Sequence, residues 1–492
     1  MALGLTLSIK HSGLITFGFV AAMGLAAVIW QFRDEKRVAL RRTFTFPLVL
    51  AGAVVILWGM YGFHYRESKD SAERFNRTLV QKIGDIRSPL WRMALNGSAR
   101  WRLLPRAYVW GLADIVRTGM EGRAHSDYAF GRLTFMEPRP LLFPGYVVVK
   151  IPIPLLLLAA FGTVVAFGRR KTKLGKVATS ILLLLAFTFL LVLARSGAGY
   201  AGVRHALVAY FPLAILAGVA FDFLASFRRK LAGLGALGLA MAGCFPALVV
   251  ERPWEYHNVL GGGTLRAYLY FRNDSVDLGQ RDKEIADYCR RKLEPSGEVP
   301  WLVYYPSFIE PDLRIYRRLK VNALADPKAT DLPPIEVSGT ILIDSQWTAP
   351  TMWSQTALTK YSDYSALRDV QPVERMGNVL VFRGKYYLPA ARADALFNRA
   401  DELLAGANPE LAKVEDILKE GLALRPNDFV GWMSLGNIYL RRQQREQALA
   451  AYQKAMNTAP PSPLRRLFDE QIRRVSTDPL DTVPPMRDPG IE

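Results

Sequence analysis

The chain has 492 residues, a formal net charge of +19 and a mean hydropathy of only +0.09. Its two cysteines, Cys244 and Cys289, are too few for a disulfide framework, and they lack the spacing of metal ligands. Five histidines are scattered along the chain, so the sequence predicts no metal site. The mean hydropathy averages an apolar half, up to about residue 250, and a polar half after it.

Six apolar stretches are long enough to cross a bilayer core of about 30 Å. They are residues 12–30, 44–63, 145–168, 177–195, 205–227 and 231–250. The short loops between the first and second, third and fourth, and fifth and sixth stretches are rich in Arg and Lys. Such loops are typically cytoplasmic. We therefore predict an integral protein of a bacterial-type inner membrane, with the loop 64–142 and the C-terminal region extracytoplasmic.

The excess of positive charge has two interpretations. It can reflect the basic cytoplasmic loops of a membrane protein, or it can attract the phosphate of lipid headgroups and of an anionic lipid-linked substrate. Membrane lipids are expected partners in both cases, and no nucleic-acid partner is expected.

The chain opens unusually for a membrane protein, because Lys10 and His11 interrupt the first apolar run. A signal peptide carries its positive charges before its apolar core. We interpret residues 1–8 as the end of a helix whose beginning is missing. The alternative is one long first helix with a polar kink.

The predicted outer loop, residues 64–142, carries Trp91, Trp101 and Trp110 within amphipathic, arginine-containing stretches. Tryptophan and arginine at a membrane face are typical of helices that lie in the interface. These residues could be anchors alone, or they could form a platform for a lipid-phosphate head group. His125 and Asp127 could in addition act as acid and base.

Several short motifs occur along the chain in the order that a known family of membrane enzymes shows. They are Gly4-Leu5-Thr6 followed by Lys10, then residues 104–108 (Leu-Pro-Arg-Ala-Tyr), 150–154 (Lys-Ile-Pro-Ile-Pro), 204–207 (Arg-His-Ala-Leu) with 210–212 (Tyr-Phe-Pro), and 273–280 (Asn-Asp-Ser-Val-Asp-Leu-Gly-Gln). This order over residues 1–385 resembles the C-type, polyprenyl-phosphate-sugar-dependent membrane glycosyltransferases (family 39), which include protein O-mannosyltransferase-like and aminoarabinose-transferase-like enzymes. The chain departs from the pattern at Arg123-Ala124-His125, where a Gly-His-Pro turn would be expected, and at Ile9, which replaces a threonine.

The resemblance implies a lipid-linked sugar donor that is bound at the outer membrane face. It also implies a catalytic carboxylate in the first outer loop, which would lie upstream of Met1, so the chain resembles the C-terminal portion of such an enzyme. The catalytic residue within this chain is therefore unknown. No cofactor is expected within the chain, although a divalent metal could serve the complete enzyme.

Five basic residues are candidate contacts for the lipid phosphate. They are Lys10, Arg106, Arg123, His125 and Arg204. A cation is required there because the departing phosphate must be neutralised. The alternative is that they are anchors whose charged ends reach the membrane surface.

Residues 251–388 predict a small extracytoplasmic α/β domain. The amphipathic stretch 276–292 indicates a helix, and the short apolar runs 300–305, 339–344 and 378–383 indicate strands. Because this part contains no glycine-rich phosphate loop and no nucleophile motif, we expect it to guide substrate or to act as a scaffold.

Residues 389–475 match the tetratricopeptide pattern. The matching residues are Trp432, Leu435, Gly436, Tyr439, Ala448, Tyr452, Ala455 and Pro460. The region holds one good repeat and one poor one, so the repeats should pack on the α/β domain or pair with another chain. Trp432 and Tyr439 are candidate contacts for a protein partner. Residues 476–492 lack apolar periodicity and are predicted to be disordered.

The sequence thus predicts a mainly α protein with a polytopic membrane domain, a small α/β domain and C-terminal tetratricopeptide hairpins. The leading hypothesis for its function is a glycosyltransferase-like protein that lacks its N-terminal acidic loop. The alternative is a non-catalytic, membrane-anchored scaffold that binds an extracytoplasmic protein through its repeats. Whether the chain alone is an enzyme stays open, and a transport role is weaker because no oppositely charged pair interrupts the spans.

Overall fold

The computed structural model describes residues 1–9, 11–34, 36–66, 78–117, 126–135, 140–169, 173–195, 203–226, 230–272, 276, 279–304, 315–319, 332–349, 364–405, 408–459 and 464–486. The described residues are mostly helical, with two small sheets, as the sequence predicted.

Three helices open the chain: α1 (Ala2–Ile9), α2 (Gly13–Asp34) and α3 (Lys36–Met60). Helix α1 packs against both others. It approaches α3 closely at Gly4, where a Cβ atom would lie only 2.6 Å from the Cβ of Ile56. Glycine at this position therefore sets the spacing of the two helices.

The segment after α3 forms three short helices: α4 (Leu79–Gly84), α5 (Pro89–Arg100) and α6 (Arg106–Ile115). Thr78 begins α4 with a capping box that includes Gln81, and the Ser88 side chain caps α5. These caps satisfy amides that the first turn leaves without partners. Ile83, Leu95 and Val109, one from each helix, meet in a common apolar core.

Five further helices follow: α7 (Leu142–Lys150), α8 (Ile153–Arg169), α9 (Lys173–Arg195), α10 (Tyr210–Ala225), which a 3-10 turn at Val203–Ala209 precedes, and α11 (Lys230–Val249). Helices α7 and α8 are separated by a bend of 109°. The closest approach of α8 to α10 is at Gly162, where a Cβ would lie 1.8 Å from the Leu216 carbonyl oxygen.

Three helical segments among the described residues are long and apolar enough to cross a membrane: Thr43–Met60, Gly175–Ala194 and Val203–Ala225. The bent pair Leu142–Lys150 and Ile153–Gly168 makes a fourth if it is counted as one span. The sequence predicted six. The predicted spans 12–30 and 231–250 lie in α2 and α11, whose described apolar parts are Gly13–Ile29 and Gly233–Val249.

Two strands, β1 (Ser126–Ala129) and β2 (Arg132–Phe135), lie in the predicted outer loop of the apolar half. The described elements of the polar half up to residue 388 include β3 (Phe271–Arg272), α12 (Asp282–Tyr288), β4 (Trp301–Val303), β5 (Arg317–Arg318), β6 (Glu336–Asp344), β7 (Glu374–Met376) and β8 (Val379–Tyr387). The small sheet has the order β2-β1-β3, and the larger one has the order β5-β4-β6-β8-β7. Strand β4 is parallel to β5 and β6, whereas β8 is antiparallel to β6 and β7. The three strand-like runs of the sequence lie in β4, β6 and β8.

The larger sheet shares its core with the helices near the α7–α8 bend. Tyr146 of α7 and Ala206 of the 3-10 turn belong to the same buried cluster as Ile341 of β6 and Phe382 of β8. The polar half is therefore packed directly on the apolar half.

The chain closes with five helices, each packed on the next: α13 (Pro389–Ala405), α14 (Leu411–Leu424), α15 (Phe429–Arg441), α16 (Arg445–Thr458) and α17 (Leu464–Thr477). They enclose a second apolar core that includes Leu418, Met433 and Phe468. The sequence predicted disorder from residue 476, but residues 480–486, called the tail segment below, pack on this core through Val483. The apolar side chains of this segment are too few to show periodicity, and the helices supply the surface that buries them.

Candidate functional site

The predicted phosphate-binding residues occupy different places. Arg106 begins α6, and its backbone N–H donates to the carbonyl oxygen of Tyr65, just beyond the end of α3, over 2.8 Å. Arg204 lies on the 3-10 turn that packs against α7, α9 and α10, and its Nε donates to the His205 ring over 3.4 Å. Lys10, Arg123 and His125 lie outside the described residues.

The residue that follows Lys10 contacts the same helix as Arg106. The ring of His11 stacks on that of Tyr108 with centroids 4.5 Å apart, and its Nε2 donates to the Tyr108 carbonyl oxygen over 3.1 Å. Gly111 makes room for this ring, because a Cβ there would lie 2.7 Å from the His11 Cε1. The turn between α1 and α2 is thus fixed on α6.

Tyr108 is the buried centre of this cluster. Its side chain is 1% exposed, and Tyr61 packs edge-on against it with centroids 6.4 Å apart. Burial, with a smaller contribution from Tyr61, raises the pKa of Tyr108 to about 12. The hydroxyl group therefore stays neutral at physiological pH, and Tyr108 cannot act as a base there.

The loop between α5 and α6 wraps the end of α3. The Trp58 indole donates to the Leu103 carbonyl oxygen over 3.1 Å, and the Tyr65 hydroxyl donates to that of Ala99 over 2.9 Å. The guanidinium of Arg102 lies 5.3 Å from the centre of the Tyr65 ring. The Arg102 guanidinium and the first residue of α6, Arg106, whose contact here is made by its backbone, therefore lie near the end of α3. Guanidinium groups and helix N-termini both favour phosphate.

A second polar centre lies at the α7–α8 bend. The Asn258 side-chain amide donates to the carbonyl oxygens of Val148 and Ile151 over 2.7 and 2.8 Å. Its backbone N–H donates to Val149 over 2.8 Å. Lys150 donates to the Trp254 carbonyl oxygen over 2.6 Å. The end of α7 is thus satisfied by residues more than a hundred positions away in the sequence.

A buried ionic cluster extends from this bend to the larger sheet. Arg281 is 2% exposed and pairs with both carboxylate oxygens of Glu255 at 2.7 and 2.9 Å, and with Glu251 at 2.5 Å. Burial disfavours the charge of Arg281, but these carboxylates outweigh it and raise its pKa. Gly377, with φ +59°, lies so close that a Cβ would be 2.3 Å from the Arg281 Nη2.

His257 lies beside this cluster in a nonpolar environment. Its ring stacks on Phe271 with centroids 5.3 Å apart, and Nδ1 donates to the Glu255 carbonyl oxygen over 3.0 Å. Burial, with a smaller effect of the nearby Lys150 charge, lowers the pKa of His257 to about 3. A small polar cavity between Glu255, Ser345 and Asn378 has room for about one water molecule. We interpret this centre as structural, because this cavity is too small for a substrate.

Within the described ranges, no group of three His, Cys, Asp or Glu side chains is arranged to hold a metal ion.

The two candidate contacts for a protein partner are held within the C-terminal helices. Tyr439 is 7% exposed, and its hydroxyl donates to Glu415 over 3.2 Å, which leaves little surface for a partner. The Trp432 indole donates to the Pro426 carbonyl oxygen over 2.8 Å, and the Lys454 ammonium lies 4.3 Å from its ring centre. Both side chains stabilise helix packing, which the tetratricopeptide pattern by itself does not distinguish from partner binding.

Comparisons of the chain with protein-family models, with curated proteins and with solved structures found no match.

Proposed function

We propose that the chain is an integral membrane protein that binds a polyprenyl-phosphate sugar at the outer membrane face, as part of a glycosyltransferase. One observation carries this proposal. The loop between α5 and α6 folds over the end of α3, which is a candidate span, and brings Arg102 and the backbone of Arg106 to it.

The direction of the helices supports an outer location for this site. The basic connections between α2 and α3, α8 and α9, and α10 and α11 would be cytoplasmic. The end of α3, the α7–α8 bend and the start of the polar half would then all lie on the outer face. In this proposal α13–α16 form two tetratricopeptide-like hairpins on the same side.

The chemistry assigned to the site is recognition and charge neutralisation. When the sugar leaves, its lipid phosphate becomes more negative. The guanidinium groups of Arg102, in the loop before α6, and of Arg106, at the start of α6, would stabilise that charge. The described residues near the site supply cations and aromatic surface, which suit donor binding.

Crosslinking with a photoreactive polyprenyl phosphate in nanodiscs tests the proposal. Arg106→Gln and Arg102→Gln should each lower crosslinking at least fivefold, since each removes a phosphate contact. Arg92→Gln, on the exposed surface of α5, is the matched control. Competition by the uncharged polyprenol should be weak. Equal crosslinking of all three variants, or equal competition by polyprenol, would contradict a phosphate site here.

A transfer assay with a labelled sugar separates the enzyme from the scaffold. Activity in membranes that is lost with Arg106→Gln or Arg204→Ala, yet survives removal of residues 389–492, supports the glycosyltransferase. If no sugar is transferred but crosslinking still depends on the phosphate, the chain binds the donor and does not catalyse transfer by itself. Absence of both favours the scaffold hypothesis.

A further inference from the structure

The tail segment, residues 480–486, begins with a 3-10 turn at Leu480–Thr482 and becomes extended at Val483, against the C-terminal helices. Val483 has φ −84° and ψ 117°, and its side chain is 6% exposed. Pro484 and Pro485, which follow it, are exposed, and Met486 is partly buried. The segment therefore packs three apolar side chains, Leu480, Val483 and Met486, on the helices and presents two prolines to solvent.

Side-chain amides of two helices bind the backbone of this segment. Asn437 of α15 donates to the Met486 carbonyl oxygen over 2.8 Å and accepts from the Met486 N–H over 2.9 Å. Gln471 of α17 donates to the Pro484 carbonyl oxygen over 2.9 Å. An asparagine that pairs with both polar groups of one residue recognises an extended backbone whatever its side chain.

A third helix holds the recognising amide in place. The Tyr452 hydroxyl of α16 donates to the Asn437 Oδ1 over 2.7 Å. Tyr452 comes this close because Gly436 has no side chain, and a Cβ there would lie 2.8 Å from the Tyr452 Cε1. A residue of a neighbouring helix thus helps to orient Asn437 towards the tail segment.

The end of α17 is anchored separately from the tail segment. The Arg445 guanidinium donates to the carbonyl oxygens of Val475, Ser476 and Asp478, the last two over 3.0 and 2.9 Å. These bonds satisfy carbonyls that the last helical turn leaves without partners. The tail segment can therefore leave its groove while α17 keeps its end.

We propose that the groove between α15 and α17 is a binding site for extended, proline-containing peptides, and that the tail segment is its displaceable internal occupant. The partner it fits has a branched apolar residue, two prolines and a second apolar residue. Proline suits the exposed middle positions because it has no N–H that needs a partner and because it favours the extended conformation. As a tethered occupant at millimolar effective concentration, the segment competes with partners in trans.

The test measures binding of a fluorescein-labelled peptide of residues 478–492 to the full chain and to a chain that ends at residue 479, both in detergent. The shortened chain should bind the peptide at least tenfold more tightly, because its groove is empty. Asn437→Ala in the shortened chain should weaken binding at least tenfold, and so should Val483→Asp in the peptide. Asn457→Ala, on the exposed face of α16, should leave the affinity unchanged.

Thermal unfolding of the same variants separates a displaceable occupant from a permanent part of the core. The shortened chain should keep its helical unfolding transition, and the peptide should raise its midpoint. Equal peptide affinity of the two chains would overturn the proposal. So would unchanged binding by Asn437→Ala, or a shortened chain that loses its folded C-terminal helices and does not recover them with peptide.

Discussion

At the scale of single residues, Gly377 combines two constraints that can be separated by experiment. Its φ of +59° is unfavourable for other residues, and the position that a Cβ atom would occupy lies against Arg281 and Glu255. Gly297 has a similar φ of +67° but open space around it. The pair therefore distinguishes backbone strain from steric conflict.

Gly377→Ala should lower the free energy of unfolding by about 3 kcal/mol or more, because backbone strain and displacement of a buried ion pair add together. Gly297→Ala should cost only about 1–2 kcal/mol, from the backbone alone. Thermal unfolding in detergent measures both. Equal losses of unfolding free energy in the two variants would show that the ionic cluster accommodates the added methyl group without destabilising the fold.

His257 makes stability depend on pH in a definite direction. Its pKa is about 3 in the folded chain, below the ordinary value of 6.5, because burial disfavours its charge. Above pH 6.5 the ring is neutral in both states, and below it only the unfolded chain takes up the proton. Stability should therefore fall by up to about 1.4 kcal/mol per pH unit from pH 6.5 towards 3.

The variant His257→Gln tests this assignment. Its unfolding midpoint between pH 7 and 5 should fall less steeply than that of the unchanged chain, since the titrating group is gone. His64→Gln, with an exposed side chain, is the control and should keep the original slope. Parallel slopes for all three chains would assign the pH dependence to other groups.

At the scale of elements, the bend between α7 and α8 depends on Asn258. Its amide nitrogen satisfies two carbonyl oxygens at the end of α7, and its Oδ1 accepts from the N–H groups of Leu260 and Gly261 over 2.9 and 3.3 Å. The side chain thus joins the bend to the 3-10 turn Val259–Gly261 of the polar half.

Asn258→Asp should destabilise the chain by about 3 kcal/mol, because a carboxylate keeps the acceptor but places an oxygen against two carbonyl oxygens. Asn258→Ala should cost less than Asn258→Asp, since alanine loses the hydrogen bonds but does not introduce this repulsion. Asn457→Ala serves as the exposed control. Thermal unfolding midpoints that rank Ala below Asp would contradict this account of the bend.

Much of the element pattern could be predicted from the sequence, because periodicity and apolar runs reflect local burial. Elements predicted in this way include the helices at 44–63, 177–195 and 205–227 and the strands at 339–344 and 378–383. The roles of Asn258 and Gly377 could not be predicted, because their partners are distant in the sequence and an isolated Asn or Gly has no periodic signal. The tail segment was missed for the same reason.

At the scale of the whole molecule, the two largest apolar cores among the described residues are separate from each other. One joins the α7–α8 region to the larger sheet, and the other lies within α13–α17 and the tail segment. Elements that share a core tend to unfold together. We therefore expect the apolar half and the α/β part to behave as one unit and the C-terminal helices as another.

Fluorescence of Trp432, the last tryptophan of the sequence, reports on the second core. The difference between the unchanged chain and Trp432→Phe during urea unfolding should show a transition that is distinct from that of the remaining tryptophans. Far-ultraviolet circular dichroism should then show both steps. Coincident transitions would mean that contacts between the two parts make unfolding a single cooperative process.

The order of the larger sheet also affects how copies of the protein meet one another. Its described outer strands, β5 and β7, have only two and three residues, and they carry Arg317, Arg318, Glu374 and Arg375. Short, charged border strands give an incoming strand few backbone groups to pair with and oppose its approach electrostatically. Crowding of many copies on a membrane should therefore leave these sheets separate, without intermolecular β-structure.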